Sequence, residues 1–129
     1  MLNTALQVLS KDGTVADNTY QIIAEDGVLP QGDVLLTVEQ LDQLANVTGK
    51  KALFLTVDAS PETNAFPLDQ LDAIFIDFAG FNDGRGYSFA ALLRRQGYTG
   101  DLRATGDVFK DVLNYMKRSG FDTFVVKEG

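Results

Sequence analysis

From Val34 onward, apolar segments of strand length alternate with amphipathic segments of helix length. The apolar segments are Val34–Thr37, Ala52–Val57, Ala73–Phe78, Leu102–Ala104 and Thr123–Val126. This alternation predicts βαβ units with right-handed crossovers, and therefore a parallel sheet. The second and third segments are almost continuously apolar, which is typical of strands covered on both faces.

The predicted fold is therefore α/β, with an open, mainly parallel sheet of about five strands and helices on both faces. A fragment of a barrel is the alternative interpretation, although closing a parallel barrel takes eight strands. Some helix ends are visible in the sequence. Thr37 and Gln40 are spaced as a capping box, and Gly97 and Gly120 follow the last apolar residues of two later helices.

The N-terminal part of the chain has a different pattern. Residues 1–32 contain scattered apolar residues on either side of the turn Lys11-Asp12-Gly13, which predicts a hairpin or two loosely paired strands. A chain of 129 residues is long enough for one domain with a real core. We predict a single domain, residues 1–129, in which a small β segment (1–32) precedes the βα repeats (33–129).

The composition excludes several kinds of chemistry. The chain has neither cysteine nor histidine, so it contains no disulfide, thiolate nucleophile, cysteine metal site or histidine-based triad. A net charge of −7 disfavours nucleic acid as a partner, since it repels phosphate. No apolar run approaches the roughly 20 residues of a membrane helix, and no signal peptide is recognisable. We expect a cytoplasmic protein without a membrane partner.

Glycines and polar residues follow two neighbouring predicted strands, at the edge where parallel sheets bind ligands. The chain reads Asp83-Gly-Arg-Gly-Tyr-Ser88 after one strand and Thr105-Gly-Asp107 after the next. A helix start attracts anions through its free amides and dipole, glycines allow close approach, and an arginine adds a planar fork for oxyanions. The predicted small-anion site comprises Asp83, Gly84, Arg85, Gly86, Ser88, Arg103, Gly106 and Asp107.

A purely structural role is the alternative for the glycine loop. Asp83 or Ser88 would cap the helix, the glycines would form a tight turn, and Arg85 would pair with a carboxylate. The spacing matches neither a P-loop nor a dinucleotide-binding fingerprint.

The other arginines have structural interpretations too. Arg103 lies inside a strand and needs a partner, because an unpaired buried charge is costly. Asp77 and Asp107 are the candidate partners, and a structural ion pair is the favoured interpretation. Arg94 and Arg95 lie late on their helix, where a solvated surface role is expected. No metal site is predicted, since no aspartate spacing matches a known cation-binding loop.

Two long stretches resemble the bacterial domain-of-unknown-function family 934. They are Phe81-Asn-Asp-Gly-Arg-Gly-Tyr-Ser-Phe-Ala-Ala-Leu-Leu-Arg94 and Gly97-Tyr-Thr-Gly-Asp-Leu-Arg-Ala-Thr-Gly-Asp-Val108, followed by Gly120-Phe-Asp-Thr-Phe124. The resemblance is close over the second half of the chain and looser near Lys11-Asp-Gly13. It implies motif positions at Asp83, Gly84, Arg85, Gly86, Ser88, Arg94, Arg103, Gly106, Asp107 and Asp111.

Members of that family are commonly labelled as oxidoreductases or as proteins of sulfite reduction, because their genes lie near those of assimilatory sulfite reductase. The resemblance therefore implies an accessory or small-anion-binding protein of sulfur assimilation, with sulfite reductase subunits as expected partners. Two alternatives stay open. One is an oxidoreductase with an unknown cofactor and substrate, and the other is a structural domain that forms a homodimer.

Overall fold

The computed structural model describes residues 7–17, 19–23, 27–55, 67–78, 85–106 and 113–125. The strands are β1 (Gln7–Ser10), β2 (Val15–Asp17), β3 (Gln21–Ile22), β4 (Val34–Leu36), β5 (Lys51–Leu55), β6 (Ala73–Asp77), β7 (Asp101–Thr105) and β8 (Thr123–Phe124). The α-helices are α1 (Arg85–Arg95) and α2 (Leu113–Ser119), and two 3-10 helices span Val38–Asn46 and Leu68–Gln70. None of the helices in these ranges is long and apolar enough to cross a membrane.

All eight strands belong to one mixed sheet, in the order β2-β1-β8-β7-β6-β5-β4-β3. Strands β3 to β8 are parallel to one another, and β1 is antiparallel to both β2 and β8. The five strands predicted from Val34 onward are present as β4 to β8, and the hairpin predicted at Lys11–Gly13 is β1–β2. The prediction of about five strands is too low, because the hairpin and β3 extend the sheet at both edges.

The sheet is curled so that its two edges approach each other. Strands β2 and β3 are the edges, seven strand spacings apart, which would be about 34 Å in a flat sheet. Asp17 ends β2 and Gln21 begins β3, and four residues of chain reach at most about 14 Å. The predicted open sheet is therefore strongly curled, and β2 and β3 are its two edges.

The described helices pack on the outer face of this curled sheet. From β3 to β8 the strands lie in chain order, so successive right-handed crossovers place the connecting segments on the same face. Side chains from the helices and from alternate strand positions form one buried cluster, which includes Leu44, Phe89, Leu93 and Met116 with Val34, Leu53, Ile74, Ile76 and Leu102. The prediction of helices on both faces is wrong for the described part of the chain.

The inner face carries the other alternate positions of the strands. Tyr20, Leu35, Ala52, Ala73 and Phe75 form a second buried cluster there. The ring of Tyr20, just before β3, lies edge-on to the ring of Phe75 on β6, with centroids 5.5 Å apart. Three strand spacings separate β3 from β6, so this contact is possible only because the sheet curls around its inner face.

The helix ends agree with the sequence. The Thr37 amide donates to the Gln40 side-chain oxygen at 3.1 Å, which is half of the predicted capping box. Gly97 and Gly120 have φ angles of 97° and 113° immediately after α1 and α2, a conformation that favours glycine at helix ends.

Candidate functional site

Strands β6 and β7 end side by side at the carboxyl edge of the sheet. Asp77, the last residue of β6, is in register with Thr105, the last residue of β7, and the Phe78 amide donates to the Thr105 carbonyl at 2.8 Å. The connections that follow the two strands therefore leave from the same edge. Helix α1 begins at Arg85 after the first connection, and Gly106 opens the second with a φ angle of 84°.

The predicted anion-site residues divide into two groups. Asp83, Gly84 and Asp107 lie outside the described residues. The structure places the other five on two consecutive βα units: Arg85 and Gly86 at the start of α1, Ser88 exposed in its first turn, and Arg103 and Gly106 on and after β7. Anion binding by this set stays a prediction.

Arg103 is held in a polar cluster on the inner face. Its Nη2 donates to Asp101 Oδ2 at 3.2 Å, and its Nε donates to Thr123 Oγ1 at 3.0 Å. The Thr123 hydroxyl in turn donates to the Asp101 carboxylate, 2.9 Å from Oδ1. The sequence suggested Asp77 or Asp107 as the partner, whereas the structure supplies Asp101, two residues earlier on the same strand. Residues two apart on a strand share a face, so the spacing could have identified this pair.

The Arg103 guanidinium also lies over two aromatic rings. Its central carbon is 4.8 Å from the Phe75 ring centroid and 5.5 Å from that of Tyr20, distances at which cation–π attraction is effective. Only 11% of the Arg103 side chain is exposed. Burial raises the pKa of Tyr20 to about 12, although the positive charge of Arg103 acts in the opposite direction. Tyr20 is therefore a neutral phenol at physiological pH. No local pattern in the sequence indicated this contact.

Thr105 is the polar residue closest to the carboxyl edge on the inner face of β7. It alternates with Asp101 and Arg103 along the strand, so all three side chains share that face. Thr105 is 1% exposed, and its hydroxyl has no hydrogen-bond partner among the described parts of the chain. The sequence predicts Thr105 at this edge, but the predicted anion site does not include it.

Arg94 has a structural role at the opposite, amino edge of the sheet. Its guanidinium donates to the carbonyls of Tyr98 at 3.0 Å, Gly100 at 2.9 Å and Gly120 at 2.7 Å, and to Asp122 Oδ2 at 2.6 Å. The expected surface role of Arg94 is therefore wrong. The side chain connects the end of α1 to the chain segments that enter β7 and β8.

Asp122 is the acidic partner in this arrangement. Burial raises its pKa, but hydrogen bonds from Lys11, from the Leu102 amide and from Arg94 outweigh that effect and hold the pKa below its usual value. Lys11 reaches the carboxylate from the β1–β2 turn at 2.9 Å. Asp122 therefore joins the N-terminal hairpin to the βα repeats as an ionised group.

In the described part of the chain, the polar contacts of Arg94 and Asp122 therefore lie at one edge of the sheet, and the candidate site lies at the other. At the amino edge Arg94 and Asp122 bond each other and main-chain groups, while the carboxyl edge carries a helix start, a glycine turn and the buried Thr105 hydroxyl without a partner among the described residues. No group of three or more acidic side chains that could hold a metal ion is present within these residues.

The comparisons with known proteins give a family without a known activity. The profile of a family described as bacterial protein of unknown function (DUF934) matches residues 52–129, more than half of the 129 residues. The matched stretch includes all of β5 but its first residue, β6 to β8, α1, α2, and Arg103 with its partners Asp101 and Thr123. No curated protein and no solved structure matches the chain. The match confirms the resemblance noted in the sequence, and the chain belongs to the bacterial family of unknown function DUF934.

Proposed function

We propose that this protein is a non-catalytic accessory protein that binds a small oxyanion at the carboxyl edge of β6 and β7. The observation that carries the proposal is the register of Asp77 with Thr105. Because of this register, the chain leaves β6 towards α1 and leaves β7 at the Gly106 turn from one edge of a curled, mainly parallel sheet. Ligands of parallel α/β proteins bind at this edge.

The start of α1 has the properties of an anion site. The helix is eleven residues long, and its first turn contains Arg85 and no acidic residue. The positive end of its dipole therefore acts without a neutralising carboxylate in that turn. Ser88, exposed in the same turn, adds a hydroxyl that can donate to an oxyanion.

Sulfur assimilation is the setting that the sequence resemblance implies, and it is part of this proposal. Sulfite and sulfate are therefore the first anions to test, and sulfite reductase subunits are the first protein partners to test. A pull-down with those subunits in which nothing is retained would contradict the docking part of the proposal.

Thermal denaturation with sulfite, sulfate, phosphate and chloride at equal ionic strength tests anion binding. An anion that binds the folded state stabilises it by about 2.7 kcal/mol at a hundred times its Kd. We expect stabilisation by at least one oxyanion and none by chloride.

Two matched arginine variants place the site. Arg85→Ala removes a positive charge at the start of α1, and Arg95→Ala removes one at the exposed other end of the same helix. We expect Arg85→Ala to lose most of the stabilisation by the oxyanion and Arg95→Ala to keep it. Equal losses in the two variants would show a non-specific charge effect, and no stabilisation of the wild-type protein by any oxyanion would contradict the proposal.

A further inference from the structure

The unpartnered hydroxyl of Thr105 needs an explanation. The great majority of buried polar side-chain atoms in folded proteins have a hydrogen-bond partner. Thr105 Oγ1 is the buried side-chain atom without one in the part of the chain that the structure describes, and the residue is 1% exposed. Valine has the same shape and would fill the position without an unsatisfied group.

The position of Thr105 points to a ligand. It is the last residue of β7, on the inner face and at the carboxyl edge. The Thr105 carbonyl already accepts from the Phe78 amide, so the hydroxyl is the polar group of this residue that remains available. Gly106 follows immediately with a φ angle of 84°, so the chain turns at this point.

We propose that Thr105 binds the ligand of the anion site through its hydroxyl, and that Asp77 beside it selects an oxyanion that still carries a proton. This inference rests on the proposed function and names two residues and a ligand class for the same site. An ionised carboxylate only accepts hydrogen bonds, and its two oxygens offer about four acceptor positions. It repels a fully deprotonated oxygen and accepts from an O–H group.

The ion pair of Arg103 with Asp101 lies on the inner face below these two residues. Arg103 lies two residues before Thr105 on the same face, which is roughly 6.6 Å along the strand, and its guanidinium is held by Asp101, Phe75 and Tyr20. Since Thr105 is buried, its hydrogen bond to a ligand would form away from bulk water, where such bonds are electrostatically stronger. Hydrogen phosphate and hydrogen sulfite carry the required proton near neutral pH, and sulfate does not.

Calorimetric titration of the full chain with phosphate, sulfite and sulfate tests the assignment. In Thr105→Val we expect at least about tenfold weaker binding of phosphate or sulfite, because a hydrogen bond to a charged group is lost. Thr105→Ser, which keeps the hydroxyl, should bind these anions with an affinity within about threefold of that of wild type.

Thr105→Val should unfold at the same or a higher temperature than wild type without anion, because it removes an unsatisfied hydroxyl. If Thr105→Val does not fold, Thr105→Ala takes its place.

A separate variant tests the proposed role of Asp77 in selecting a protonated oxyanion. We expect wild type to bind phosphate at least about tenfold more tightly than sulfate, and Asp77→Asn to reduce that ratio because the amide can donate as well as accept. Wild-type affinity retained in Thr105→Val would overturn the role of Thr105 and leave the proposed function intact. Equal affinity of wild type for phosphate and sulfate would overturn the role of Asp77. Absence of wild-type binding to all three oxyanions would overturn the proposed function and this inference together.

Discussion

The Arg94 guanidinium donates to the Asp122 carboxylate at 2.6 Å and joins the last turn of α1 to the residue before β8. The same guanidinium donates to the carbonyls of Tyr98, Gly100 and Gly120. Carbonyls near helix ends lack partners within the helix, so one side chain satisfies acceptors after α1 and after α2. Arg94 therefore connects both helix ends to the amino edge of the curled sheet.

Replacement of Arg94 is therefore expected to destabilise the fold. Arg94→Ala removes a donor from three carbonyls and from the Asp122 carboxylate, which keeps Lys11 and the Leu102 amide. We therefore expect a loss of about 3 kcal/mol in the free energy of unfolding. Arg94→Lys keeps the charge but cannot reach these acceptors with a planar fork, and should lose most of the same amount. Urea unfolding followed by circular dichroism measures both.

Arg95→Ala is the matched control for this prediction. Arg95 is exposed on the same turn of α1, and its loss should change the free energy of unfolding by no more than about 0.5 kcal/mol. Equal effects of the Arg94 and Arg95 variants would contradict the structural role of Arg94.

The sequence predicts the individual strands and helix ends of this fold well, but it does not predict the curl of the sheet. Strands β4 to β8 are visible because apolar runs and glycine stops are local signals. The curl depends on the pairing of Leu9 with Phe124, residues from opposite ends of the chain, and on the short link between β2 and β3. Neither leaves a pattern in a window of sequence, so the sequence does not predict the curl.

The candidate site, too, can be predicted only in part from the sequence. The two turns at the carboxyl edge follow from strand order and from the glycines. The partner of Arg103 is Asp101, whose spacing is visible in the sequence. The contact of Arg103 with Tyr20 crosses the inner face, and the acceptors of Arg94 are main-chain carbonyls that have no residue signature.

The fold is expected to lose stability in acid because the Asp122 carboxylate becomes protonated. The pKa of its carboxyl is lowered in the folded state from a usual value of 3.8, so near pH 4 the unfolded state binds the proton more readily. The stabilisation is present above the usual pKa and is lost as the pH falls through the folded value. We expect Asp122→Asn to lower the free energy of unfolding by about 1 to 2 kcal/mol near neutral pH, and by less as the pH falls below about 4.

Unfolding in urea between about pH 3 and pH 7 checks this dependence. Asp42→Asn, at an exposed position on the Val38–Asn46 helix, removes one carboxylate as the control. A difference between wild type and Asp122→Asn that stays constant down to pH 3 would show that the ionised form of Asp122 is not what stabilises the fold.

Gly100 is a position where a methyl group does not fit. A Cβ atom built there collides with the Tyr98 hydroxyl and comes within 3.0 Å of the Asp72 carbonyl oxygen. The Tyr98 hydroxyl donates to the Leu71 carbonyl at 3.2 Å, and that bond is lost if the ring moves. Gly100→Ala is expected to destabilise the fold by about 2 to 3 kcal/mol, measured as a lower midpoint of thermal unfolding.

The neighbouring Thr99→Ala provides the control, since Thr99 is exposed and should change the free energy of unfolding by less than about 0.5 kcal/mol. In a Tyr98→Phe background the loss caused by Gly100→Ala should be smaller, because the hydrogen bond is already absent. An unchanged loss in that background would assign the effect of Gly100→Ala to the backbone alone.

The fold is expected to lose stability at alkaline pH because the Tyr20 phenol is buried on the inner face of the sheet. Burial raises its pKa from 10.0 to about 12, so the unfolded tyrosine ionises first as the pH rises. The contribution of the Tyr20 phenol to the free energy of unfolding is complete below about pH 10. It is lost as the pH approaches 12, by about 2 to 3 kcal/mol in total.

Tyr20→Phe has no phenol to ionise and should lack this part of the pH dependence. The difference in free energy of unfolding between the two proteins, measured in urea from pH 9 to pH 11.5, should therefore shift in favour of the variant. A difference that does not change with pH would mean that the Tyr20 phenol ionises as readily in the folded state as in the unfolded chain, and would contradict its burial against Phe75 and Arg103.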